Sequence, residues 1–281
     1  MRQKFKDMEN IQFIFPSEEE LKTNDFSIEE KASGNFKSYK VNNYSELVVL
    51  TAQLSFLNPK HFILYRGQSE SFTNQQGCLS FLPTIYRKSG NEILTDEELK
   101  ERFKKLAGEV EKIRTMDVFK NISKSKQWEK KSPIIAESII QHYNSKEIPT
   151  PWLDLTQSLR VAYSFAAQSH DNNSDVFIYV FGMPNPTQTI FTEKKSGITI
   201  IRLSSLCHPK ALRPFLQEGY LVSTPKINTC EKIETCNFNK RLIAEIRIPY
   251  ENITNKQYFH RIPEDSLLAN RLDVFYQNQL A

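Results

Sequence analysis

The feature that most constrains this chain is a change of periodicity near its middle. "DVFIYVFGMP", "ITIIRL", "GYLVST" and "RLIAEIRIP" are short runs rich in β-branched and aromatic residues. Gly, Pro and Asn bound them, which is how strands are punctuated. The earlier pattern is helical. Thr95 opens T-D-E-E, a capping box with Glu98 three residues on, and Leu99, Phe103, Leu106, Val110 and Ile113 follow at helical spacing. "NYSELVVLTAQL" reads as a helix started by Ser45 or Asn43, and "SPIIAESIIQHY" as one whose Pro133 suits the first helical position. "QSLRVAYSFAAQ" carries small residues that let a neighbouring backbone come close, and "PEDSLLANRLDVFYQ" reads as a closing helix. Strand and helix do not alternate, which argues against a doubly wound parallel sheet. The expected class is α+β, with helices mainly in the first half packed on a mostly antiparallel sheet formed largely by the second half.

Composition narrows the function classes. With 39% hydrophobic and 25% charged residues over 281 positions, the chain can bury a large core. The net charge of +4 is the remainder of 37 basic and 33 acidic residues, so it does not by itself indicate nucleic acid. Cys78, Cys207, Cys230 and Cys236 lack C-x-x-C spacing, which argues against a zinc site. No apolar run approaches a bilayer-spanning length and none resembles a signal peptide, so a cytoplasmic protein that makes no use of a membrane is expected. Residues 1–40 carry the acidic patch "PSEEELKTNDFSIEEK" and read as a loosely attached extension, with the main domain at 41–281.

Three stretches concentrate polar chemistry. "HFILYRGQSE" runs a hydrophobic strand into Arg66 and Gly67. A guanidinium is a permanent cation with a bidentate donor fork, suited either to a ligand anion or to an internal carboxylate. The anion anchor is the reading taken, with Gly67 letting backbone approach the ligand. "QHYNSKEIPTPWLDLTQS" gathers Gln141, His142, Tyr143, Thr150, Asp154 and Thr156 around two prolines. In the plain reading, Asp154 and Thr156 cap the next helix and His142 bonds a backbone carbonyl; in the sharper one, His142 and Asp154 form an acid–base pair. "RPFLQEGYLVSTP" sets Arg213 and Gln217 ahead of Gly219 and a strand ending in Ser223 and Thr224, which reads equally as a helix C-cap glycine and an ordinary strand.

In their order along the chain these stretches resemble the FRG-domain family. Tyr65-Arg66-Gly67 matches its signature, and Gln141-His142-Tyr143, Pro149-Thr150 and Leu153-Asp154-Leu155-Thr156 match its central block. Arg213, Gln217 and Gly219 are similar to its later run, as are Leu82 to Arg87 and "IPEDSLLANRLD" to other segments. The chain departs from the pattern at Asn144, where a glycine is usual, and at Pro151, where an arginine is usual.

The order of Arg66, then Ser223-Thr224, then Glu245 also resembles the pattern of ADP-ribosyltransferases, with Pro225 and Ile243 as departures. That resemblance implies NAD as cofactor, a split sheet, and a division of labour: Arg66 holds phosphates, the hydroxyls brace the pocket, and Glu245 steadies the ribose. Breaking the nicotinamide–ribose bond builds positive charge on the sugar, which a placed carboxylate stabilises. Glu245 has a plain alternative, because in an alternating strand Ile246 and Ile248 face the core while Glu245 and Arg247 face water. Two functions therefore stand side by side. One is NAD-dependent ADP-ribosyl transfer to a protein or nucleic-acid acceptor, or NAD cleavage, as in a bacterial toxin or antiphage effector. The other is a non-catalytic module that binds a nucleotide or nucleic acid.

Overall fold

The computed structural model describes residues 11–22, 27–29, 36–73, 79–87, 94–117, 126–144, 147–168, 174–208, 210–254, 261–263 and 266–267. Cys78 and nearly all of the expected closing helix lie outside them.

The described residues form an α+β fold around a single sheet. Its nine strands are β1 (Ser27–Glu29), β2 (Lys37–Lys40), β3 (Phe62–Gln68), β4 (Leu153–Thr156), β5 (Val176–Met183), β6 (Ile190–Thr192), β7 (Thr199–Arg202), β8 (Gly219–Ser223) and β9 (Leu242–Ile248). They lie in the order β1-β2-β9-β5-β3-β4-β8-β7-β6. Every neighbouring pair is antiparallel except β2 and β9, which run parallel. The four second-half runs read as strands from the sequence are β5, β7, β8 and β9. The division between halves is less sharp than expected, because β1, β2 and β3 come from the first half.

The helices form where their caps are supplied. Asn43, not Ser45, caps α1 (Tyr44–Leu57, the second helix after a single turn at Glu18–Lys22), its Oδ1 accepting from Glu46 N at 2.9 Å. Thr95 and Glu98 close the expected capping box on α2 (Asp96–Thr115), with Thr95 N donating to Glu98 Oε2 at 2.9 Å and Glu98 N to Thr95 Oγ1 at 3.2 Å. α3 (Lys126–Asn144) starts earlier than Pro133, which lies inside it. Proline's preference for a first turn yields here to the burial of Ile135, Ala136, Ile139 and Ile140 along the following turns. Ser158 caps α4 (Leu159–Ala166), accepting from Val161 N at 3.4 Å.

Both faces of the sheet are covered. On one, Leu47, Leu50 and Leu54 of α1 and Ala162, Tyr163 and Ala166 of α4 pack on Ile63, Ile178, Val180, Ala244 and Ile246. On the other, Phe81 and Phe238 close over Leu64, Tyr179, Phe181, Leu155 and Val222. α2 and α3 build a third cluster around Trp152, Ile201 and Leu221.

The amino-terminal segment is not loosely attached where it is described. β2 adds to the sheet beside β9, Tyr39 is fully buried, and Phe13 and Leu21 join the core. The polar surface of "PSEEELK" masks the alternation of the short run that follows, Phe36 to Val41, which supplies the strand.

Candidate functional site

Arg66 sits on β3 where that strand parts from β4. The two strands are paired at one position, Tyr65 opposite Thr156. Beyond it the Arg66 side chain spans the opening, Nη1 donating to the main-chain carbonyl of Asp154 at 2.7 Å. The guanidinium is largely withdrawn from water, and among the described residues its Nε finds no acceptor. An unmet buried donor on a cation is costly unless something occupies the space beside it.

Asp154 is held from the other side. Gln141 Nε2 donates to its Oδ2, and Thr150 Oγ1 donates to Gln141 Oε1, so one chain of bonds links helix, loop and strand. Thr150 is fixed in turn by Thr84, whose Oγ1 accepts from Thr150 N at 3.0 Å, while Ile85 N donates to Thr150 O at 3.1 Å. This lattice brings the segment Leu82–Arg87 against the central block and places Arg87 at the solvent-facing rim.

The charges around Asp154 do not balance pairwise. Burial holds its carboxyl above the usual carboxylate range, opposed by Arg66, by the Gln141 hydrogen bond and by Arg87. Burial lowers Arg66, opposed by Asp154 and Tyr179. Partial desolvation first, and the charge of Arg66 second, bring Arg87 down to about 10. The charges of two guanidiniums thus bear on one buried carboxylate, and among the described residues neither makes a direct ion pair with it.

Across the sheet a polar row continues from Arg66. Tyr179 of β5 is its register partner, Glu245 of β9 is the partner of Tyr179, and Ser38 of β2 is the partner of Glu245. Register partners share a face, so Glu245 points to the same side as Arg66, about 10 Å away at two strand spacings. It is only 2% exposed, and Ser38 Oγ donates to its Oε1 at 3.1 Å. The expectation that Glu245 faces water is overturned, because the sheet is covered on both faces and Phe81 and Phe238 close the side it occupies.

Other candidates fall elsewhere. His142 does not pair with Asp154: successive helical residues diverge by about 100°, so Gln141 takes Asp154 while His142 turns to Arg213. Arg213 Nη1 donates to His142 O at 3.1 Å, and its guanidinium lies 5.2 Å from the Tyr143 ring centre. Burial and the Arg213 charge bring the His142 imidazole down to about 3, and among the described residues its Nε2 has no partner. Thr156 Oγ1 donates to Gln217 O at 2.7 Å and takes Ser158 N at 3.0 Å, while Gln217 Nε2 donates to Leu267 O at 3.0 Å. Thr156 and Gln217 therefore tie segments together. The expected glycine cap is displaced by one residue: Glu218 adopts φ 44° ahead of Gly219. Ser223 and Thr224 end β8, three strands beyond β5 in the sheet order, with Ser223 opposite Thr199 and its Oγ donating to Thr224 O at 2.9 Å. They do not join the row of Glu245.

Gly67 has a packing role. A Cβ there would lie 1.7 Å from Ala162 O and 2.9 Å from Ala166 N, so the missing side chain admits the backbone of α4 rather than a ligand. The small residues of α4 and this glycine are two halves of one contact. Sequence reasoning gave no role to Arg87, Tyr179 or Ser38. Arg87 stands in a stretch already singled out, but Tyr179 lies within an apolar strand and Ser38 within the short polar run KSYK, and neither carries a signal of its own.

Comparison with known proteins bears on the central part of this arrangement. A family model described as the FRG domain matches residues 61–175, from the start of β3 to the threshold of β5. No curated protein and no solved structure matches the chain. The match spans the signature on β3, the Leu82–Arg87 segment, Gln141 and the β4 block, the same residues that meet around Asp154. Residues 61–175 of this chain are therefore an FRG domain.

Proposed function

We propose that this protein binds a phosphate-bearing nucleotide at the Arg66, Arg87 and Asp154 cluster, and that NAD is the nucleotide. The observation that carries the reading is the withdrawn Arg66 guanidinium at the opening between β3 and β4, bonded to a main-chain carbonyl with its Nε unmet among the described residues, and the second cation Arg87 at the rim. The unmet Nε of Arg66 and the rim position of Arg87 suit a diphosphate, which needs fixed cations and donors in a fork. NAD supplies a glycosidic bond whose rupture leaves positive charge on the ribose. Glu245, on the face of Arg66, is the carboxylate placed to oppose that charge, and Tyr179 lies between the two. Simple NAD cleavage fits better than transfer, because Ile243 is buried in the core and offers no group to an acceptor. Cleavage of this kind would act as a toxin or antiphage effector in a bacterial cell, an extension by analogy from the fold.

A second reading rests on the burial of Glu245. Held by Ser38 and 2% exposed, it also fits a structural role in a module that binds its nucleotide unchanged. Incubating the full chain with NAD and following nicotinamide separates the two. Release that vanishes in Glu245→Gln while ADP-ribose binding persists supports cleavage, and saturable NAD binding without release supports the module. Arg66→Gln or Arg87→Gln weakens ADP-ribose binding at least tenfold on either reading. Unchanged affinity in both variants removes the cluster as the nucleotide site.

A further inference from the structure

A second cleft lies apart from the Arg66 cluster. It has a volume of about 440 Å³ and opens beside the first residue of β3, four positions and so about 13 Å from Arg66 along the strand. The buried Leu64 stands between them on the same face. One wall is aromatic: the rings of Phe62 and Tyr220 meet edge to face with centres 5.3 Å apart. The other is the polar run after β5 that includes Asn185 and Thr187, and the mouth carries Arg202 at the end of β7.

The polar groups of this cleft are oriented. Tyr220 Oη donates to Gln157 Oε1 at 3.2 Å, which engages the carbonyl end of that cleft-lining amide and leaves its two N–H donors uncommitted among the described residues. Asn185 Nδ2 donates to Lys60 O at 3.1 Å, which leaves Oδ1 as an acceptor. A fixed donor and a fixed acceptor beside an aromatic wall match the edge and face of a nucleobase. Arg202 is exposed, and among the described residues its guanidinium makes no hydrogen bond or ion pair. No carboxylate lines the cleft. The lining therefore offers hydrogen-bonding edges, a stacking surface and one cation, and its volume is in the range of small-ligand sites.

We propose that this cleft binds a nucleoside monophosphate, with the base between the Gln157 and Asn185 amides against Phe62 and Tyr220, and the phosphate on Arg202. It is independent of the nucleotide site proposed above.

Calorimetric titration of the full chain with AMP, GMP, CMP and UMP tests the assignment, with the parent nucleosides and inorganic phosphate as controls. At least one monophosphate saturates a single site in the Arg66→Gln variant as it does in the unaltered chain, and its nucleoside binds at least tenfold more weakly. Arg202→Gln, an exposed position, reduces the monophosphate to the affinity of the nucleoside, and Gln157→Leu weakens both. The proposal is overturned if no monophosphate saturates, if inorganic phosphate binds as tightly, or if Arg202→Gln leaves affinity unchanged. It is equally overturned if Arg66→Gln abolishes binding, since the ligand then belongs to the other site.

Discussion

Single atoms decide two of the residue roles. At Gly67 the nearest obstacle to a methyl group is backbone, which cannot swing aside as a side chain can. Gly67→Ala should therefore cost about 3 kcal/mol, by forcing β3 and α4 apart, and the urea midpoint should fall with it. A variant as stable as the parent would mean that the two elements are not in contact. His142 makes a pH prediction. Its folded value near 3 lies below its ordinary 6.5, so the unfolded chain takes the proton first. Stability is complete above about 6.5 and falls as pH drops toward 3, by up to about 1.4 kcal/mol per unit. Asp154, raised above its ordinary 3.8, works in the opposite sense just above that value. Denaturation followed from pH 7 to 4 should show the slope, and His142→Gln should flatten it.

At the scale of elements, local signals were legible where a cap or a period is written in consecutive residues. The Thr95–Glu98 box is one case, and it yields a measurable cost: Thr95→Ala should destabilise by about 1 kcal/mol, seen as a lower melting temperature, because it leaves the Glu98 amide without its acceptor. β5, β7, β8 and β9 were legible for the same reason. β4 was not, since "LDLT" is short, sits in a polar connection and acquires strand geometry only by pairing with Leu221 and its neighbours. The site shows the same division. Gln141, Thr150 and Asp154 stand in one stretch and do meet, although the partner of Asp154 is Gln141 and not His142. The Arg66–Tyr179–Glu245–Ser38 row depends on strand order and register, which no local pattern records.

For the whole molecule, the integration of β2 changes what removing the first 40 residues should do. Their loss would uncover the edge of β9 and unseat Tyr39 from the core. The shortened chain should melt at a lower temperature and aggregate through the open edge, as read by light scattering on heating. An unchanged melting temperature would show that β2 contributes nothing to the sheet. The Arg202 cleft, by contrast, is built from β3, β7, β8 and the loops beside them, with Phe62 and Tyr220 on the face away from α1. The same truncation followed by refolding at low temperature should leave monophosphate binding at the Arg202 cleft within reach of measurement.

The parallel pairing of β2 with β9 also bears on biosynthesis. Ser38 and Glu245 are 207 positions apart, so at a ribosomal rate of about 5–20 residues per second the early strand waits some ~10–40 s for its mate. During that interval β2, whose Ser38 and Tyr39 end up buried, has only β1 to pair with in the nascent polypeptide. The closing of the sheet therefore waits until β9 has left the ribosomal tunnel, and it is at that moment that Glu245 becomes sealed from water.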